Sequence, residues 1–566
     1  MFKELYPSDI TQLNFDHSEQ WVPFFETPKL AIENLSQNIV KLEDDTYFYG
    51  CLEKHKIIKL FHVSVINQAL VVHNIIQLIT NEGDLNSHVY LIHLAKKHRL
   101  EKIVLSLKKQ TSNIDTRLTS KGYFYEEEHG YSYQLEYNTG LVLGGGGAKG
   151  AYQIGVWHAL VELGIKYTMI SGTSVGALNG GLILQGDLEQ AEKMWQKITT
   201  DQILLVSDMG ERQDYSINQV LKEWRELTSI AIQSKGISTA PLLNLIREVT
   251  DSEKIISKDM DFFIVTTATP SMTETVVSLK DMTEETFPLW LLASASLFPA
   301  MAPCLIDETY YIDGCYCNNL PKDILIDNGA SELIICDVKG TGVIKRIKTP
   351  NDITEITLRS PWTLGDVLLF DGNRSSWNMS LGYLETMKSF GHFKGEKYTF
   401  KKEKFKKSGL TLSREFFKFL SAIPEFEEWY QKKTTLKKWD WLQKNNQIPE
   451  IISIKLLESL AEKVSIEPIQ VYEIEELIEL LIEKTQAGLL LSDEISTNQM
   501  MKSIGELLSN YVRLRSPLTD YQLMMYYYRY FKRESYSNKE FFGFLMDVSW
   551  MNGLEALFLI FLEKRK

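Results

Sequence analysis

One short segment has the residue types and spacing of a catalytic nucleophile. Gly172-Thr173-Ser174-Val175-Gly176 follows a short apolar run and precedes a helix-like stretch. In a G-x-S-x-G segment placed this way, the serine lies on a tight strand-to-helix turn and its hydroxyl is exposed above the sheet. Glycine is expected at positions 172 and 176 because the turn is crowded. The pattern therefore predicts that Ser174 is a nucleophile.

A run of glycines lies one strand–helix unit earlier, in "LVLGGGGAKGAYQIGVW", Leu141 to Trp157. A P-loop is excluded, because Lys149 is followed by Gly150 rather than by a serine or threonine that could hold magnesium. The spacing also fits a dinucleotide-binding loop. That fold needs an acid at the end of the second strand, and "YTMI", Tyr167 to Ile170, has none.

An oxyanion hole is the interpretation that remains for the glycine run. Backbone N–H groups of Gly145, Gly146 and Gly147 would stabilise the negative charge that develops on an attacked carbonyl, and only bare backbone lets that oxygen approach closely. The start of the following helix, near Gly150, adds positive potential. Lys149 would fix the loop or add charge.

The nucleophile also needs a base. From residue 141 onward the chain has only two histidines, His158 inside a helical stretch and His392 at the start of a basic run. Asp313, which ends a short apolar strand and is followed by Gly314, offers another base. An Asp-Gly pair is often only a turn, so this prediction depends on the other two segments.

Together these segments resemble the patatin-like phospholipases of the bacterial type. The matching blocks are "GGGGAKG", "GTSVG" and "DGCYCNNLP", supported by "LLASASLFPAMAPCLID", and they extend over Leu141 to Gly340. The resemblance implies a three-layer α/β/α hydrolase core and a Ser-Asp dyad without histidine. In that dyad Ser174 would attack a lipid ester, and Asp313 would accept its proton and later activate water. It implies no cofactor and no metal.

Three positions depart from the family pattern. Gly144 stands where the family often has aspartate, Lys149 where it has arginine, and Cys315 where Asp-Gly is followed by glycine or alanine. Two alternatives therefore stay open: a soluble esterase or thioesterase with the same dyad, and an inactive scaffold.

The length of 566 residues predicts several domains. We expect an α+β domain over 1–138, the hydrolase over 139–345, a helical closing segment and basic linker over 346–400, and a helical region over 401–566. The order of strands and helices in the first domain resembles the acetyltransferase-like fold. Its "NEGDLNSHV" segment carries two acids where that family binds pyrophosphate, so we expect an inactive or repurposed domain.

Charge and composition limit the partners and the location. The formal net charge of −13 excludes nucleic acid as the main partner. The N-terminus "MFKELYPSDI" does not resemble a secretory signal, and uncharged Pro288–Ile306 carries three prolines, which disfavour a membrane-spanning helix. Five scattered cysteines indicate free thiols, hence a cytoplasmic location.

The basic run Lys394–Gly409 is either a solvated linker or a patch that contacts lipid headgroups at the membrane surface.

Overall fold

The computed structural model describes residues 2–5, 13, 19–22, 24, 46–53, 56–78, 85–107, 112–127, 130–203, 237–433, 452–492, 520–533 and 539–565. The chain forms two compact units. The flanking unit comprises Met1–Ser87, Lys102–Gln134 and His392–Lys566, and the core unit comprises His88–Glu101 and Leu135–Gly391. The boundary at residues 391 and 392 falls inside the segment that we expected to close the hydrolase.

The N-terminal region is a mixed sheet with two helices. Its elements are β1 Phe2–Glu4, β2 Glu19–Gln20, β3 Thr46–Glu53, β4 Lys56–Ile66, β5 Ala69–Gln77, α1 Leu85–Lys97, β6 Lys102–Leu105, α2 Ser112–Thr119, β7 Phe124–Glu126 and β8 Gly130–Gln134. The strand order is β1-β3-β4-β5-β6-β8-β7, with β2 beside β5, and β5 and β6 run parallel. This is the predicted succession of elements. Kinship with acetyltransferases stays a prediction, and residues 81–84 of the acidic segment lie outside the described residues.

The central region alternates strands and helices. Its strands are β9 Thr139–Leu143, β10 Met169–Thr173, β11 Asp261–Thr269, β12 Thr273–Ser278, β13 Cys304–Ile306, β14 Thr309–Asp313, β15 Glu332–Cys336 and β16 Thr354–Leu358. Its helices are α3 Ala151–Glu162, α4 Val175–Gln185, α5 Leu188–Lys197, α6 Ala240–Val249, α7 Ser252–Ile256, α8 Phe287–Ala295, α9 Lys322–Asp327 and α10 Gly372–Ser389. The apolar stretch Pro288–Ile306 therefore contains part of a buried helix and a short strand, as its prolines indicated.

The central sheet brings the three predicted segments to one place. Its order is β13-β14-β11-β10-β9-β15-β16, and β11, β10, β9, β15 and β16 are parallel. Parallel neighbours end at the same edge, so the glycine run after β9 lies beside the turn after β10. Strand β14 is antiparallel to β11 and pairs Asp313 with Thr266, whose neighbour Val265 pairs with Thr173. Asp313 therefore reaches the level of Ser174.

Helices cover both faces of this sheet. Gly180 of α4 lies so close to β11 that a Cβ there would be 2.6 Å from the ring of Phe262. The next residue, Phe263, points to the opposite face, because successive side chains alternate along a strand. It belongs to a buried cluster that includes residues of α9: Val142, Met169, Val265, Ile324, Leu325, Ala330, Leu333 and Ile335. The predicted three-layer α/β/α core is confirmed.

The C-terminal region is mainly helical, as predicted. Its elements are β17 Phe393–Lys394, β18 Thr399–Lys401, α11 Phe405–Ser421, α12 Pro424–Lys433, α13 Ile452–Lys463, β19 Val471–Tyr472, α14 Ile474–Ser492, α15 Asp520–Arg533, α16 Lys539–Val548 and α17 Trp550–Arg565. None of the helices in the described ranges is by itself long and apolar enough to span a membrane, although the bent pair α16 and α17 passes by length and composition.

The basic run Lys394–Gly409 is folded structure, which corrects its interpretation as a linker. It contributes to β17, β18 and the first turn of α11. Three of its lysines also form ion pairs: Lys397 with Glu462, Lys401 with Glu473 and Lys406 with Glu4. Part of the positive charge that we expected to contact lipid headgroups is therefore neutralised by ion pairs within the chain.

Candidate active site

Ser174 occupies a strained position between β10 and α4. Its backbone has φ 55° and ψ −127°, a conformation that residues with side chains rarely adopt. A Cβ on Gly172 would lie 2.5 Å from the Gly176 carbonyl oxygen, and a Cβ on Gly176 would lie 2.1 Å from that of Leu143. Gly172 is therefore required by the turn itself, and Gly176 by the close approach of strand β9.

A buried serine that the sequence analysis did not select holds this turn. The backbone N–H of Ser174 donates to Ser294 Oγ at 2.9 Å, and that hydroxyl donates to the Val265 carbonyl oxygen at 2.6 Å. Ser294 lies in α8 and is fully buried. In the sequence its small size within "LLASASLFP" was the one available sign. It links the strained residue to the neighbouring strand β11.

Asp313 is buried beside the nucleophile. It is 1% exposed, and its carboxylate accepts a hydrogen bond from the Cys315 N–H at 2.8 Å. Burial raises the pKa of Asp313 to about 6, and the Ser174 side chain and the Cys315 N–H oppose that rise. A Cβ on Gly314 would lie 2.3 Å from the Val265 carbonyl oxygen, so this position also excludes side chains. Cys315 is buried, and burial raises the pKa of its thiol.

The glycine loop offers fewer free amides than we predicted. The N–H of Gly145 donates to the Asn319 carbonyl oxygen at 3.1 Å, which corrects its assignment as an oxyanion donor. Among the described residues, the N–H groups of Gly146 and Gly147 have no hydrogen-bond acceptor. Both residues line a pocket together with Ser174. The donors available to an oxyanion are therefore Gly146 and Gly147.

The pocket has a polar end and an apolar body. Its volume is about 900 Å³, part of it open to solvent, and Ser174, Asp313 and Asn319 lie at the polar end. Side chains from α4, α5, α6 and α8 and from the segment before α10 supply most of the remaining wall: Leu178, Leu182, Met194, Trp195, Leu242, Leu245, Ile246, Val249, Leu291, Val367, Leu368 and Phe370. An apolar wall with a few polar groups at one end suits a ligand with a hydrocarbon chain.

Comparison with known proteins identifies a family for this part of the chain. Residues 141–326 match the family model described as patatin-like phospholipase. This chain contains a patatin-like phospholipase domain.

Part of the chain is also similar to curated proteins. The chain is 31% identical over 205 residues to patatin-like phospholipase domain-containing protein ZK370.4 of Caenorhabditis elegans and 30% identical over 206 residues to neuropathy target esterase sws of Drosophila melanogaster. It is 27% identical over 201 residues to lysophospholipase NTE1 of Mycosarcoma maydis. Each match covers 35% of this chain, but only 13%, 13% and 10% of those relatives.

A solved structure also aligns with the chain. VipD from Legionella pneumophila aligns with 78% of this chain and 94% of its own, at 13% identity and a TM-score of 0.30. A score of this size carries no structural argument.

Lys149 of the patatin-like domain ties the glycine loop to a neighbouring segment. Its ammonium group donates to the Lys339 carbonyl oxygen at 3.0 Å, and partial burial lowers its pKa. Lys149 is absent from the described residues that line the pocket. Of the two roles that we considered, the geometry favours fixing the loop. Gly150 packs against α4, where a Cβ would lie 2.3 Å from a methyl group of Val175.

A buried polar network behind the loop was missed by the sequence analysis. Gln153 Nε2 donates to the Gly144 carbonyl oxygen at 2.7 Å, and Asn179 Nδ2 donates to the Gly150 carbonyl oxygen at 2.9 Å. Asn179 also bonds the Gln153 amide oxygen at 2.8 Å and accepts from the Trp195 indole at 3.1 Å. This network joins the helices that follow the glycine loop and the serine turn.

The two histidines lie elsewhere. His158 Nδ1 is 2.7 Å from a carboxylate oxygen of Glu192, and its ring lies edge-on to that of Tyr383. His392 is exposed. Neither belongs to the described residues that line the pocket. Among the described residues that line the pocket, Asp313 is the only one with a carboxylate or imidazole group.

Proposed function

We propose that the patatin-like domain is a serine acyl hydrolase that cleaves ester bonds of phospholipids, lysophospholipids or related lipids. One observation carries the proposal: a serine and a buried carboxylate whose pKa that serine lowers line the same largely apolar pocket. The names of two similar proteins, an esterase and a lysophospholipase, support the same reaction class.

The proposed reaction has two halves. Ser174 Oγ attacks the ester carbonyl carbon while its proton passes to Asp313, and the carbonyl oxygen takes up negative charge beside the N–H groups of Gly146 and Gly147. The alcohol leaves with the proton from Asp313, and the acyl group stays on the serine. Water then attacks that ester, Asp313 again takes and returns a proton, and the fatty acid is released.

The apolar pocket favours lipid over short esters. An acyl chain that packs against the pocket wall formed by α4, α6 and α8 gains about 0.8 kcal/mol of binding free energy for each buried methylene group. A soluble esterase or a thioesterase would use the same dyad but would gain less from this wall. The proposal of a lipid substrate therefore rests on the pocket rather than on the dyad.

The test compares wild type with Ser174→Ala. We expect wild type to release fatty acid from lysophosphatidylcholine micelles and phosphatidylcholine vesicles and to be labelled by a fluorophosphonate probe, and Ser174→Ala to do neither. His158→Ala serves as the control and should retain both. Fluorophosphonate labelling together with turnover of short esters but not of lipids would favour the soluble esterase. Absence of both labelling and turnover would favour the scaffold.

We also propose peripheral contact with anionic lipid through the basic run. Lys404 and Lys407 are exposed, at the start of α11. Each can contribute about 1 kcal/mol near an anionic leaflet, and salt screens the effect. No membrane-spanning segment is needed for such contact, and the free cysteines favour a reducing compartment such as the cytoplasm.

A further inference from the structure

The search for further roles begins with a polar group that the reaction does not use. Asn319 is 4% exposed and lies at the polar end of the pocket, six residues after Asp313. Its side-chain oxygen has no hydrogen-bond partner among the described residues. A buried amide that leaves its acceptor unpaired carries an energetic cost, which calls for a physical reason.

The amide is oriented by the glycine loop. Asn319 Nδ2 donates to the Gly145 carbonyl oxygen at 3.3 Å, while the Asn319 backbone carbonyl accepts the Gly145 N–H at 3.1 Å. Turning the amide over would place its oxygen against the Gly145 oxygen, two acceptors in contact. Asn319 therefore holds both polar groups of Gly145 from one side.

The hydrogen bonds between Asn319 and Gly145 also set the direction of the Gly146 N–H group. The Gly145 carbonyl and the Gly146 N–H belong to one rigid, planar peptide group, and in a trans peptide they point in opposite directions. Fixing the carbonyl oxygen on Asn319 therefore fixes the N–H of Gly146. That N–H has no acceptor among the described residues, and Gly146 lines the pocket beside Ser174.

Close packing restricts this peptide further. The position that a Gly145 Cβ would occupy is 2.3 Å from Asn319 Oδ1 and 3.2 Å from the Ser174 Cβ. The side chains of Asn319 and Ser174 thus flank the same spot on the loop. Only glycine fits between the nucleophile and the group that orients the loop.

Resting on the proposed function, we propose that Asn319 is a positioning residue that aims the Gly146 N–H at the oxyanion of the tetrahedral intermediate. In this role it acts through the Gly145–Gly146 peptide group rather than on the reacting atoms. Its contribution appears only when charge develops on the carbonyl oxygen, because a mispositioned donor stabilises the transition state less than a preorganised one.

The neighbouring residue provides a matched control. Asn318 is fully buried and its side-chain oxygen also lacks a partner among the described residues, but its amide donates to Glu274 and Asp323 instead of to the loop. Truncating Asn318 therefore removes a comparable buried amide without freeing the Gly145 carbonyl.

The experiment measures hydrolysis of a short soluble ester by Asn319→Ala, Asn319→Asp and Asn318→Ala. Both Asn319 variants should lower kcat by about 10²-fold with KM unchanged, close to the cost of losing one oxyanion donor. Asn318→Ala should retain kcat. Asn319→Asp keeps the volume and Asn319→Ala adds no charge, so loss of the amide donor is the change that the two variants share.

A second measurement separates positioning from loosening of the fold. A trifluoromethyl ketone, which forms a charged tetrahedral adduct with Ser174, should bind the Asn319 variants more weakly by the same factor, while binding of the product fatty acid should not change. Wild-type kcat in both Asn319 variants, or equal losses in Asn318→Ala and in fatty acid binding, would overturn the inference. If Ser174→Ala hydrolyses as well as wild type, the proposed function fails instead.

Discussion

Removing the charge of Asp313 should stabilise the protein while it stops the reaction. Burial raises the pKa of this carboxyl group from 3.8 to about 6, so the folded protein binds its proton more tightly than the unfolded chain does. Between these two values the unfolded state binds fewer protons, and the free energy of unfolding therefore falls as the pH rises. Above about pH 6 the whole penalty is present.

The magnitude follows from the shift. About two pKa units correspond to about 3 kcal/mol, at 1.36 kcal/mol for each unit. Asparagine has nearly the same shape, cannot ionise, and can still accept from the Cys315 N–H. We therefore expect Asp313→Asn to raise the free energy of unfolding by up to about 3 kcal/mol at pH 8. At pH 4 most of the gain should vanish, because the carboxyl group is then protonated in the folded wild type and about half protonated in the unfolded chain.

Activity should change in the opposite direction. A general base contributes about 10²–10⁴-fold, so Asp313→Asn should lower kcat by at least that factor. In the wild-type enzyme, kcat/KM should rise with pH through about 6, as the carboxyl group loses its proton.

The assay is urea-induced unfolding at pH 4 and pH 8, monitored by hydrogen exchange. The peptides to be followed cover β9 and β10, because these strands belong to the core unit. Asp259→Asn is the control, because Asp259 is exposed, and it should show no pH-dependent gain. Equal pH dependence in wild type and Asp313→Asn, or a variant that is less stable at pH 8, would refute the reasoning. So would a wild-type kcat/KM that is flat across pH 5 to 7.

Two further predictions concern the serine turn and the basic run. Ser294→Ala removes the acceptor of the buried Ser174 N–H and should cost about 1–3 kcal/mol in the free energy of unfolding, together with a lower kcat; unchanged unfolding and kcat would contradict the role of Ser294. Replacing Lys404 and Lys407 with glutamine should weaken binding to anionic vesicles at low salt and leave cleavage of a short soluble ester unchanged, whereas Lys401→Gln, which loses a lysine paired with Glu473, should have little effect. If vesicle binding changes neither with salt concentration nor with the double substitution, the basic run does not contribute to membrane contact.

The sequence by itself determined the local chemistry. A strand, a glycine-flanked serine and a helix follow one another directly, so the turn at Ser174 could be predicted from neighbouring residues alone. The crowding that requires Gly172 also comes from within the turn, whereas the crowding at Gly176 comes from the Leu143 carbonyl oxygen of β9. The scarcity of histidine pointed to Asp313 because residue types can be counted without knowing where they lie.

The tertiary structure decided which groups are free to act. Four glycines offered several equivalent amides in the sequence, but the Asn319 carbonyl, far along the chain, occupies the N–H of Gly145 and leaves those of Gly146 and Gly147. In the same way Ser294 reaches the turn from α8, and distant glutamates pair with lysines of the basic run. Backbone geometry is set by adjacent residues, whereas competition for a hydrogen bond or an ion pair is settled only when packing brings distant groups together.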